Sequence, residues 1–427
     1  MEQPESVYFE TYGCAANQNN TELMEGILRQ SGLNITSNKE IADILVINTC
    51  IVKGPTEKKM ERRIKELKKE GKPIIVAGCM SQARTNRLEG EDVYLLGIDH
   101  IKDIAKLVKS IYFGDYESEK FLFRRKEKKV MQPKISSNKI IGITQIAQGC
   151  VGNCSYCVTK LAKKDLFSFP KSKIIRSIKD DLNHCREVWI TSQDNAAYGL
   201  DKGERTLPEL LEEILKIKGK YRVRLGMSNP DNILPILDRL IDVYRDKRMY
   251  KFLHIPVQSG SNRILKRMNR KYETEDFFKI VNRFRKEFPQ ISIATDLIAG
   301  YPGETGEDFE KSLNLINKLQ PEILNVSRYW GRKGTRAARE KQIPHKIRKE
   351  RAKKLMKTFK DKLKKNHKEE AGKEYEVLVN EKKKKKFLAR TNNYKLVKIE
   401  TNKEILGNFI NVKIIGARRN HLVGRIV

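Results

Sequence analysis

Gln148-Gly-Cys150-Val-Gly-Asn-Cys154-Ser-Tyr-Cys157 is the stretch that decides the fold and chemistry of this chain, and it directly follows an apolar run at residues 140–147. Its cysteines have the spacing C-x3-C-x2-C. A zinc site would need a fourth Cys or His from a second pair, and no such pair follows. Three thiolates can hold a cubane iron-sulfur cluster and leave its fourth iron free to chelate another molecule. The loop therefore predicts an iron-sulfur site with one open iron, against the alternative of a solvent-side cysteine cluster.

Size and charge indicate several domains and a polyanionic partner. A chain of 427 residues is too long for one core and predicts two or three domains. Lys and Arg number 87 against 54 acidic residues, a net charge of +33, which favours binding to RNA. Residues 331–427 hold 31 basic and 10 acidic residues, so this end supplies +21 of the charge. A lysine-rich surface that serves only solubility is the alternative.

The compartment is predicted from the first residues and the cysteines. The chain opens with acidic and polar residues, and no apolar run is long enough to cross a bilayer, so we expect no signal peptide, no membrane association and a cytoplasmic protein. Seven cysteines in such a chain indicate metal ligands or buried thiols rather than disulfides. Cys185 precedes a predicted strand and is expected to be a buried residue, not a ligand.

The first segment alternates strands and helices. Strands predicted at residues 7–11, 43–48 and 73–77 are separated by helical patterns, which indicates a doubly wound parallel sheet. A cysteine follows each strand within a few residues: Cys14, Cys50 and Cys79. Ligands bind at the carboxyl ends of such strands, so we expect the three thiols to converge on one crevice. Three separately buried cysteines are the alternative.

The middle of the chain predicts a second α/β unit. A basic stretch with Pro and Ser at residues 121–139 has the composition of a linker. About six βα units follow, the first strand leading into Cys150 and the last ending near residue 327. This number suits a partial (β/α)6 barrel, whose chemistry lies at the carboxyl ends of its strands.

The last part of the chain changes its pattern. A very basic helix is predicted at residues 345–367, and its apolar stripe should pack on the barrel: Ile347, Ala352, Leu355, Met356, Phe359 and Leu363. Four short alternating strands then predict a small all-β barrel. We therefore expect an α/β fold with boundaries at 1–115, a linker at 116–138, and domains at 139–366 and 367–427.

Several short sequence motifs, taken together, resemble those of a known family. With Tyr156 before its last cysteine, the cysteine loop resembles that of the radical S-adenosylmethionine (radical SAM) enzymes. The whole chain resembles the methylthiotransferases of that superfamily, which join a cluster domain, a radical domain and a TRAM domain. The phrases that carry the resemblance include Thr11-Tyr-Gly-Cys14, Asn48-Thr-Cys50, Val76-Ala-Gly-Cys79, Trp189-Ile-Thr-Ser-Gln-Asp194, Gly226-Met-Ser-Asn-Pro230 and Asp296-Leu-Ile-Ala-Gly-Tyr-Pro-Gly-Glu-Thr305.

The resemblance implies two 4Fe-4S clusters and S-adenosylmethionine as cofactors. One cluster, on Cys150, Cys154 and Cys157, would cleave S-adenosylmethionine to a radical that takes hydrogen from C2 of an adenine. The other, on Cys14, Cys50 and Cys79, would hold the sulfur that is methylated by another S-adenosylmethionine and then delivered as methylthio. The cofactor contacts expected from the resemblance are Tyr156, Ser192, Gln193 and Gln258. The family usually has Ala-Arg-Gly after the cysteine loop, where this chain has Lys163-Lys164, and we expect the change to affect contacts beside the radical cluster.

The archaeal and eukaryotic branch is the most similar, which implies conversion of N6-threonylcarbamoyladenosine at tRNA position 37 to its 2-methylthio derivative. The expected partners are tRNA, a one-electron donor and a sulfur source, with a monomeric enzyme. The TRAM-like end should hold the tRNA backbone, through Lys382, Lys383, Lys384, Lys385, Lys386, Arg390, Arg418 and Arg419.

Three other functions remain open from the sequence: methylthiolation of isopentenyladenosine in tRNA, methylthiolation of a ribosomal protein, and a noncatalytic iron-sulfur RNA-binding role. The +21 end favours an RNA substrate over a basic ribosomal protein. Two complete three-cysteine sites favour an enzyme over the noncatalytic role.

Overall fold

The computed structural model describes residues 5–52, 54–84, 88, 92–127, 129–384, 386–418 and 420–427. The first unit is a five-stranded parallel sheet with the strand order β2-β1-β3-β4-β5. Its strands are β1 (Ser6–Thr11), β2 (Asn34–Thr36), β3 (Ile44–Thr49), β4 (Ile74–Gly78) and β5 (Val93–Leu96), and its helices are α1 (Ala15–Gln30), α2 (Gly54–Leu67), α3 (Cys79–Ala83) and α4 (Ile104–Phe113). The predicted parallel sheet is confirmed, with two further strands at its edges.

The second unit is the predicted partial barrel. Two three-stranded parallel sheets, ordered β10-β9-β6 and β11-β12-β13, form its wall. They meet where the amide of Tyr250 donates to the carbonyl of Val223, at 3.0 Å. The strands are β6 (Ile141–Gln145), β9 (Glu187–Thr191), β10 (Arg222–Leu225), β11 (Phe252–His254), β12 (Ser292–Ala299) and β13 (Ile323–Arg328), with a small ribbon of β7 (Ala147–Gln148) and β8 (Phe167–Ser168) beside the cysteine loop.

Helices cover the outside of this wall. They are α5 (Thr159–Lys163), α6 (Lys171–Leu182), α7 (Leu207–Leu215), α8 (Pro230–Ile233), α9 (Leu237–Tyr244), α10 (Asn262–Arg267), α11 (Thr274–Glu287), α12 (Gly306–Leu319) and α13 (His345–Lys368). On α13, Leu355, Phe359 and Leu363 are buried in the barrel core, as the apolar stripe predicted. Ile347 is 39% exposed, so the stripe begins to pack one turn later than expected. None of the described helices is long and apolar enough to cross a membrane.

The predicted linker is tightly packed between the first two units. The amide of Ile135 donates to the carbonyl of Glu22 on α1, at 2.9 Å. Lys134 pairs with Asp181 on α6 at 2.8 Å. A side chain at Gly26 would lie 2.3 Å from the backbone of Pro133, so only glycine allows this close approach. The stretch therefore ties α1 to the barrel.

The third unit is a closed five-stranded barrel with the order β14-β15-β16-β18-β17. Its strands are β14 (Glu374–Lys383), β15 (Lys386–Thr391), β16 (Leu396–Glu400), β17 (Phe409–Ala417) and β18 (Leu422–Ile426). The sequence predicted four of these five strands.

This small barrel is docked on the amino ends of the strands of the second unit. Asn380 donates to Glu187, the first residue of β9, at 2.8 Å. Ser292, the first residue of β12, donates to the carbonyl of Asn393 at 2.5 Å. The ring of Tyr394 packs 4.6 Å from that of Phe252, the first residue of β11. The carboxyl ends of the same strands therefore face away from the small barrel.

Candidate active site

The cysteine loop runs from β7 to α5 and is braced from both sides. The amide of Gly149 donates to Oε1 of Gln193 at 2.8 Å, and the amide of Cys150 donates to the carbonyl of Lys164 at 3.2 Å. Gly149 has a φ of +81°, and a Cβ there would lie 1.8 Å from the carbonyl oxygen of Asp165, so the turn requires glycine. A Cβ on Gly152 would lie 3.3 Å from Sγ of Cys150 and 3.8 Å from Sγ of Cys154. The backbone at Gly152 therefore lies close to the sulfur atoms of Cys150 and Cys154.

Buried polar groups surround these thiols. Nη1 of Arg270 donates to Sγ of Cys154 at 3.0 Å. Asp194 is fully buried and accepts hydrogen bonds from Nδ2 of Asn229 and Nδ2 of Asn232, both at 2.7 Å. Burial raises the pKa of the Asp194 carboxyl, which its hydrogen bonds oppose. The guanidinium of Arg270 therefore contacts the sulfur of Cys154, and the carboxyl of Asp194 acts on Cys150.

Burial raises the pKa of two of these thiols, Cys150 and Cys157, and so favours their neutral form in the absence of a metal. It raises the pKa of Cys150 to about 12, and the charge of Asp194 acts in the same direction. It also raises the pKa of Cys157. A thiolate is the form that binds metal, so such thiols lose their protons when a cation binds.

The second set of thiols stands at the carboxyl ends of three adjacent strands. Cys14 follows β1, Cys50 follows β3 and Cys79 follows β4. Cys14 is exposed, whereas Cys50 and Cys79 are buried. Gly13 fits against Cys50, because a Cβ there would lie 2.9 Å from the Cβ of that cysteine. The structure thus gathers these strand ends at one edge of the sheet.

Side chains of the first unit fix this edge. Nδ2 of Asn17 donates to the carbonyl of Tyr12 at 2.9 Å and to that of Thr49 at 2.8 Å. The hydroxyl of Thr49 accepts from the amide of Met80 at 3.2 Å. Burial raises the pKa of Cys79 to about 12 and raises that of Cys50 as well.

The donor set in both places fits a cluster. Among the residues that the structure describes, no three His, Cys, Asp or Glu side chains form a site for one metal ion. Each thiolate of a cubane cluster binds a different iron, so its ligands need not meet at one point. The six predicted thiols, three in the cysteine loop and three at the strand ends, are a donor set that suits two such clusters.

A crevice of about 960 Å3 lies between the first two units. Cys14 and Cys50 line one side, and residues of β12 and β13 line the other. Arg332 pairs with the buried Glu57 of α2, which also binds Arg84 at 3.0 Å. The ion pair holds the two walls of the crevice together.

The rim of the crevice carries an aromatic ring and two cations. Trp330 is 37% exposed, and its indole ring would lie 2.6 Å from a Cβ on Gly54. Lys59 stands 5.1 Å from the ring of Tyr12. Arg328, which ends β13, is exposed and lies 3.2 Å from Nε2 of His345. The rim can therefore stack on a base and bind an anion.

Of the four predicted cofactor contacts, Tyr156 belongs to the cysteine loop itself and Gln258 lies at the crevice. Tyr156 packs edge-on against Tyr301, with ring centroids 6.5 Å apart. Ser192 accepts from the amide of Asp194 at 3.2 Å. Gln193 braces the cysteine loop through Gly149. Gln258 has a φ of +69° and lines the crevice. The structure thus brings Gln193 to the loop and Gln258 to the second set of thiols.

The predicted RNA-binding residues lie on the small barrel. Three lysines pair with carboxylates: Lys382 with Glu404, Lys383 with Glu381 at 2.9 Å, and Lys386 with Glu400 at 3.8 Å. Lys384 forms the turn between β14 and β15 with a φ of +57°. Arg390 lies 4.5 Å over the ring of Tyr394, and the amide of Arg418 donates to the carbonyl of His421 at 2.8 Å. Lys385 and Arg419 lie outside the described residues.

Sequence reasoning missed several residues of the site. Asp194 stands at the end of a phrase that carried the family resemblance, so the signal was present. Arg270 and the pair of Arg332 with Glu57 have no local pattern that marks them, because their partners are distant in sequence. Cys185 is fully buried, as predicted.

Comparison with known families defines the class. An uncharacterized protein family, UPF0004, matches residues 6–97. The radical SAM superfamily matches residues 144–316, and the TRAM domain matches residues 368–427. These matches confirm the resemblance drawn from the sequence: the chain is a radical SAM enzyme with a TRAM domain.

Full-length relatives narrow the class to a family. The chain is 41% identical to the probable threonylcarbamoyladenosine tRNA methylthiotransferase of Archaeoglobus fulgidus, over 98% of both chains. It is 38% identical to the protein of the same name from Pyrococcus horikoshii, over 99% of both. It is 33% identical to the human threonylcarbamoyladenosine tRNA methylthiotransferase, over 99% of this chain and 74% of the human one. The chain belongs to this family.

Solved structures share the fold. The radical S-adenosylmethionine methyltransferase TsrM from Kitasatospora setae, with cobalamin and a [4Fe-4S] cluster bound, gives a TM-score of 0.58 at 14% identity, over 79% of this chain and 77% of that one. The cobalamin-dependent radical enzyme OxsB gives 0.57 at 12% identity, over 85% of this chain and 56% of that one. The predicted α/β architecture is thereby confirmed.

Proposed function

We propose that this protein is a tRNA methylthiotransferase that converts N6-threonylcarbamoyladenosine at position 37 to its 2-methylthio derivative. The observation that carries the proposal is the presence of two three-thiol sites at carboxyl ends of strands, of which the second opens on a crevice shared with the radical domain. The family to which the chain belongs supports the same substrate. A noncatalytic RNA-binding protein would have no need of the second site.

The proposed ligands are Cys150, Cys154 and Cys157 for one 4Fe-4S cluster and Cys14, Cys50 and Cys79 for the other. Bound there with S-adenosylmethionine, the clusters would supply the radical chemistry and the sulfur that substitution at an unactivated aromatic carbon requires. We assign Tyr156, Ser192, Gln193 and Gln258 to the cofactor, as the resemblance implied. A one-electron donor and a sulfur source are the partners that this chemistry needs, and we place the monomeric enzyme in the cytoplasm.

The protein's own part is to fix the sulfur ligands. Arg270 holds Cys154 through its guanidinium and donates with its other nitrogen to Asn229, which binds Asp194. Gln193 holds the start of the cysteine loop. Such second-layer contacts orient metal ligands and tune their charge.

The crevice would bind the modified adenosine. Its threonylcarbamoyl group ends in a carboxylate, for which Arg328 and Lys59 on the rim are suitable partners. Trp330 offers an exposed aromatic face on which an extruded base can stack. The walls around Cys14 and Cys50 would exclude water from the reacting carbon.

The experiment is nucleoside mass spectrometry of tRNA from cells that make threonylcarbamoyladenosine but lack their own methylthiotransferase. Expression of this protein should produce the 2-methylthio derivative. The variant with Cys14, Cys50 and Cys79 replaced by Ala should not produce it. Cys185→Ala is the matched control, because this thiol is buried outside both sites, and it should retain the product.

The same cells distinguish the alternatives. A methylthio group found only on isopentenyladenosine, or only on a ribosomal protein, would contradict the proposed substrate. Unchanged nucleosides and proteins would contradict the proposed methylthiotransferase activity and favour a noncatalytic role.

A further inference from the structure

Lys163 has a buried amino group that donates no hydrogen bond to any residue that the structure describes. It ends α5 and is 4% exposed. Its Nζ is buried and has no hydrogen-bond partner in the described part of the chain. An unpaired buried ammonium is costly, so its presence requires an explanation.

Lys163 lies on α5, and this helix packs against α3, which begins at Cys79 of the N-terminal site. Ala162 and Val158, its neighbours on α5, pack in the same hydrophobic core as Cys79 and Met80. Burial raises the pKa of Cys79 and of Cys50, and the charge of Lys163 opposes that rise at both thiols. The expectation that Lys163-Lys164 affects contacts beside the radical cluster stays a prediction, and the carbonyl of Lys164 accepts from the amide of Cys150 at 3.2 Å.

Nearby carboxylates are engaged elsewhere. Asp99 accepts from Gln148 at 2.5 Å and from Arg124 at 3.4 Å. Glu127 accepts from the amides of residues 101 and 102 at 3.2 and 3.0 Å. A second buried lysine, Lys129, donates to Gln148 at 2.6 Å and adds to the positive charge. Asp99 and Glu127 share a pocket with Lys163, but neither accepts a hydrogen bond from it.

We propose that Lys163 is a positioning residue of the N-terminal site, where its ammonium balances the negative charge of the three thiolates and their cluster. The inference rests on the proposed function, since it requires a cluster on Cys14, Cys50 and Cys79. An oxidised 4Fe-4S core together with three thiolates has a net negative charge, and reduction adds one electron to it. A buried cation beside it therefore stabilises the reduced form more than the oxidised one.

The first test uses the loaded protein. With Cys150, Cys154 and Cys157 replaced by Ala, the chain should hold one cluster, whose midpoint potential can be followed by electron paramagnetic resonance. Lys163→Gln should move this potential to a more negative value, and Lys163→Arg should keep it near that of the parent. Lys160→Gln is the matched control: it removes a charge from the same helix, but its ammonium pairs with Asp165 at 3.0 Å and should not change the potential.

The second test uses the iron-free protein. Without a cluster the Lys163 ammonium is buried with no hydrogen-bond partner among the described residues, so Lys163→Met should raise the midpoint of urea unfolding. In the loaded protein the same substitution should instead accelerate loss of iron to a chelator. This reversal of sign would not arise from a residue that only fills space.

The outcomes separate the inference from the function on which it rests. An unchanged potential in Lys163→Gln, or equal potential shifts in the Gln and Arg variants, would overturn the role of Lys163 and leave the cluster site intact. A lower unfolding midpoint for iron-free Lys163→Met would also overturn it. A parent that bound no iron would contradict the N-terminal cluster and the inference together.

Discussion

Lys164 occupies a backbone conformation that suits glycine. Its φ is +51° and its ψ is −139°, and it stands where the Gly of the family's Ala-Arg-Gly would fall. Such a conformation costs a residue with a Cβ about 1–3 kcal/mol. The chain tolerates the strain at the point where the carbonyl of Lys164 accepts from the amide of Cys150.

Replacing Lys164 with Gly should therefore stabilise the protein. We expect a gain of about 1 kcal/mol in the free energy of unfolding, because the relief of strain exceeds the added entropy of the unfolded chain. Urea unfolding measures it. Lys160→Gly, inside α5, is the control and should lose about 1 kcal/mol. A loss at both positions would show that Lys164 is not strained.

Glu25 on α1 should make stability depend on pH. Burial, with the nearby Glu22, raises the pKa of its carboxyl to about 7. The folded protein then keeps a proton that the unfolded chain releases, so this contribution is present at low pH and is lost as the pH rises through 7. Glu25→Gln should be more stable than wild type by about 1–2 kcal/mol at pH 8 and by little at pH 4. Equal differences at both pH values would contradict the buried carboxyl.

Arg328 should decide which adenosine enters the crevice. If it binds the threonyl carboxylate, Arg328→Ala should weaken binding of an anticodon stem-loop that carries threonylcarbamoyladenosine by about tenfold or more. Binding of the same RNA with unmodified adenosine should change little. Fluorescence anisotropy with both RNAs gives the ratio, and Arg239→Ala, on the far surface, is the control. Equal losses for both RNAs would assign Arg328 to the backbone instead.

In the sheet of the first unit, strands of five or six residues were predictable and those of three or four residues were not. The sequence indicated β1, β3 and β4, which lie at the centre of the sheet. It missed β2 and β5, which have three and four residues and lie at the edges. It also missed β15, because Lys386 begins it and the lysine run masks the start of its alternation. A run of three or four residues is too short to show the period of two that marks a strand.

The site was predictable as a set of thiols but not as a set of contacts. Spacing and strand-end positions identify the six cysteines from the amino-acid sequence alone. The contacts of Arg270 and Arg332 and the burial of Lys163 depend on packing between elements far apart in sequence. Local patterns contain no information about such pairs.

The basic turn between β14 and β15 should bind phosphates without regard to sequence. Neutralising Lys382 to Lys386 with Arg418 and Arg419 should weaken binding to many tRNAs alike and flatten its dependence on salt, since phosphate contacts act through counterion release. The carboxylates that pair with Lys382 and Lys383 do not prevent this, because exposed pairs are weak.

The measurement for the basic turn is tRNA binding at several salt concentrations. A control that neutralises Lys65, Lys68 and Lys69, which are exposed on the first unit, should keep the salt slope. An unchanged slope in the turn variant would mean that the RNA is held elsewhere.

For the whole molecule, the two proposed clusters predict how many irons each chain holds. Anaerobically reconstituted wild type should hold about eight irons per chain, as two 4Fe-4S clusters require. Replacing either set of three cysteines with Ala should leave about half. The variant at Cys14, Cys50 and Cys79 should still form deoxyadenosine, whereas the variant at Cys150, Cys154 and Cys157 should not. Full iron in either variant would show that its cysteines bind no cluster.

Helix α13 joins the two ends of the molecule at which RNA would bind. It begins beside Arg328 at the crevice and leads to the small barrel on the opposite face. With 24 residues it spans about 36 Å. A tRNA held at both ends is attached at two separated points, and each attachment raises the effective concentration of the other. An RNA too short to cover that span gains nothing from the second attachment. Binding should therefore depend on the length of the RNA as well as on its modified base.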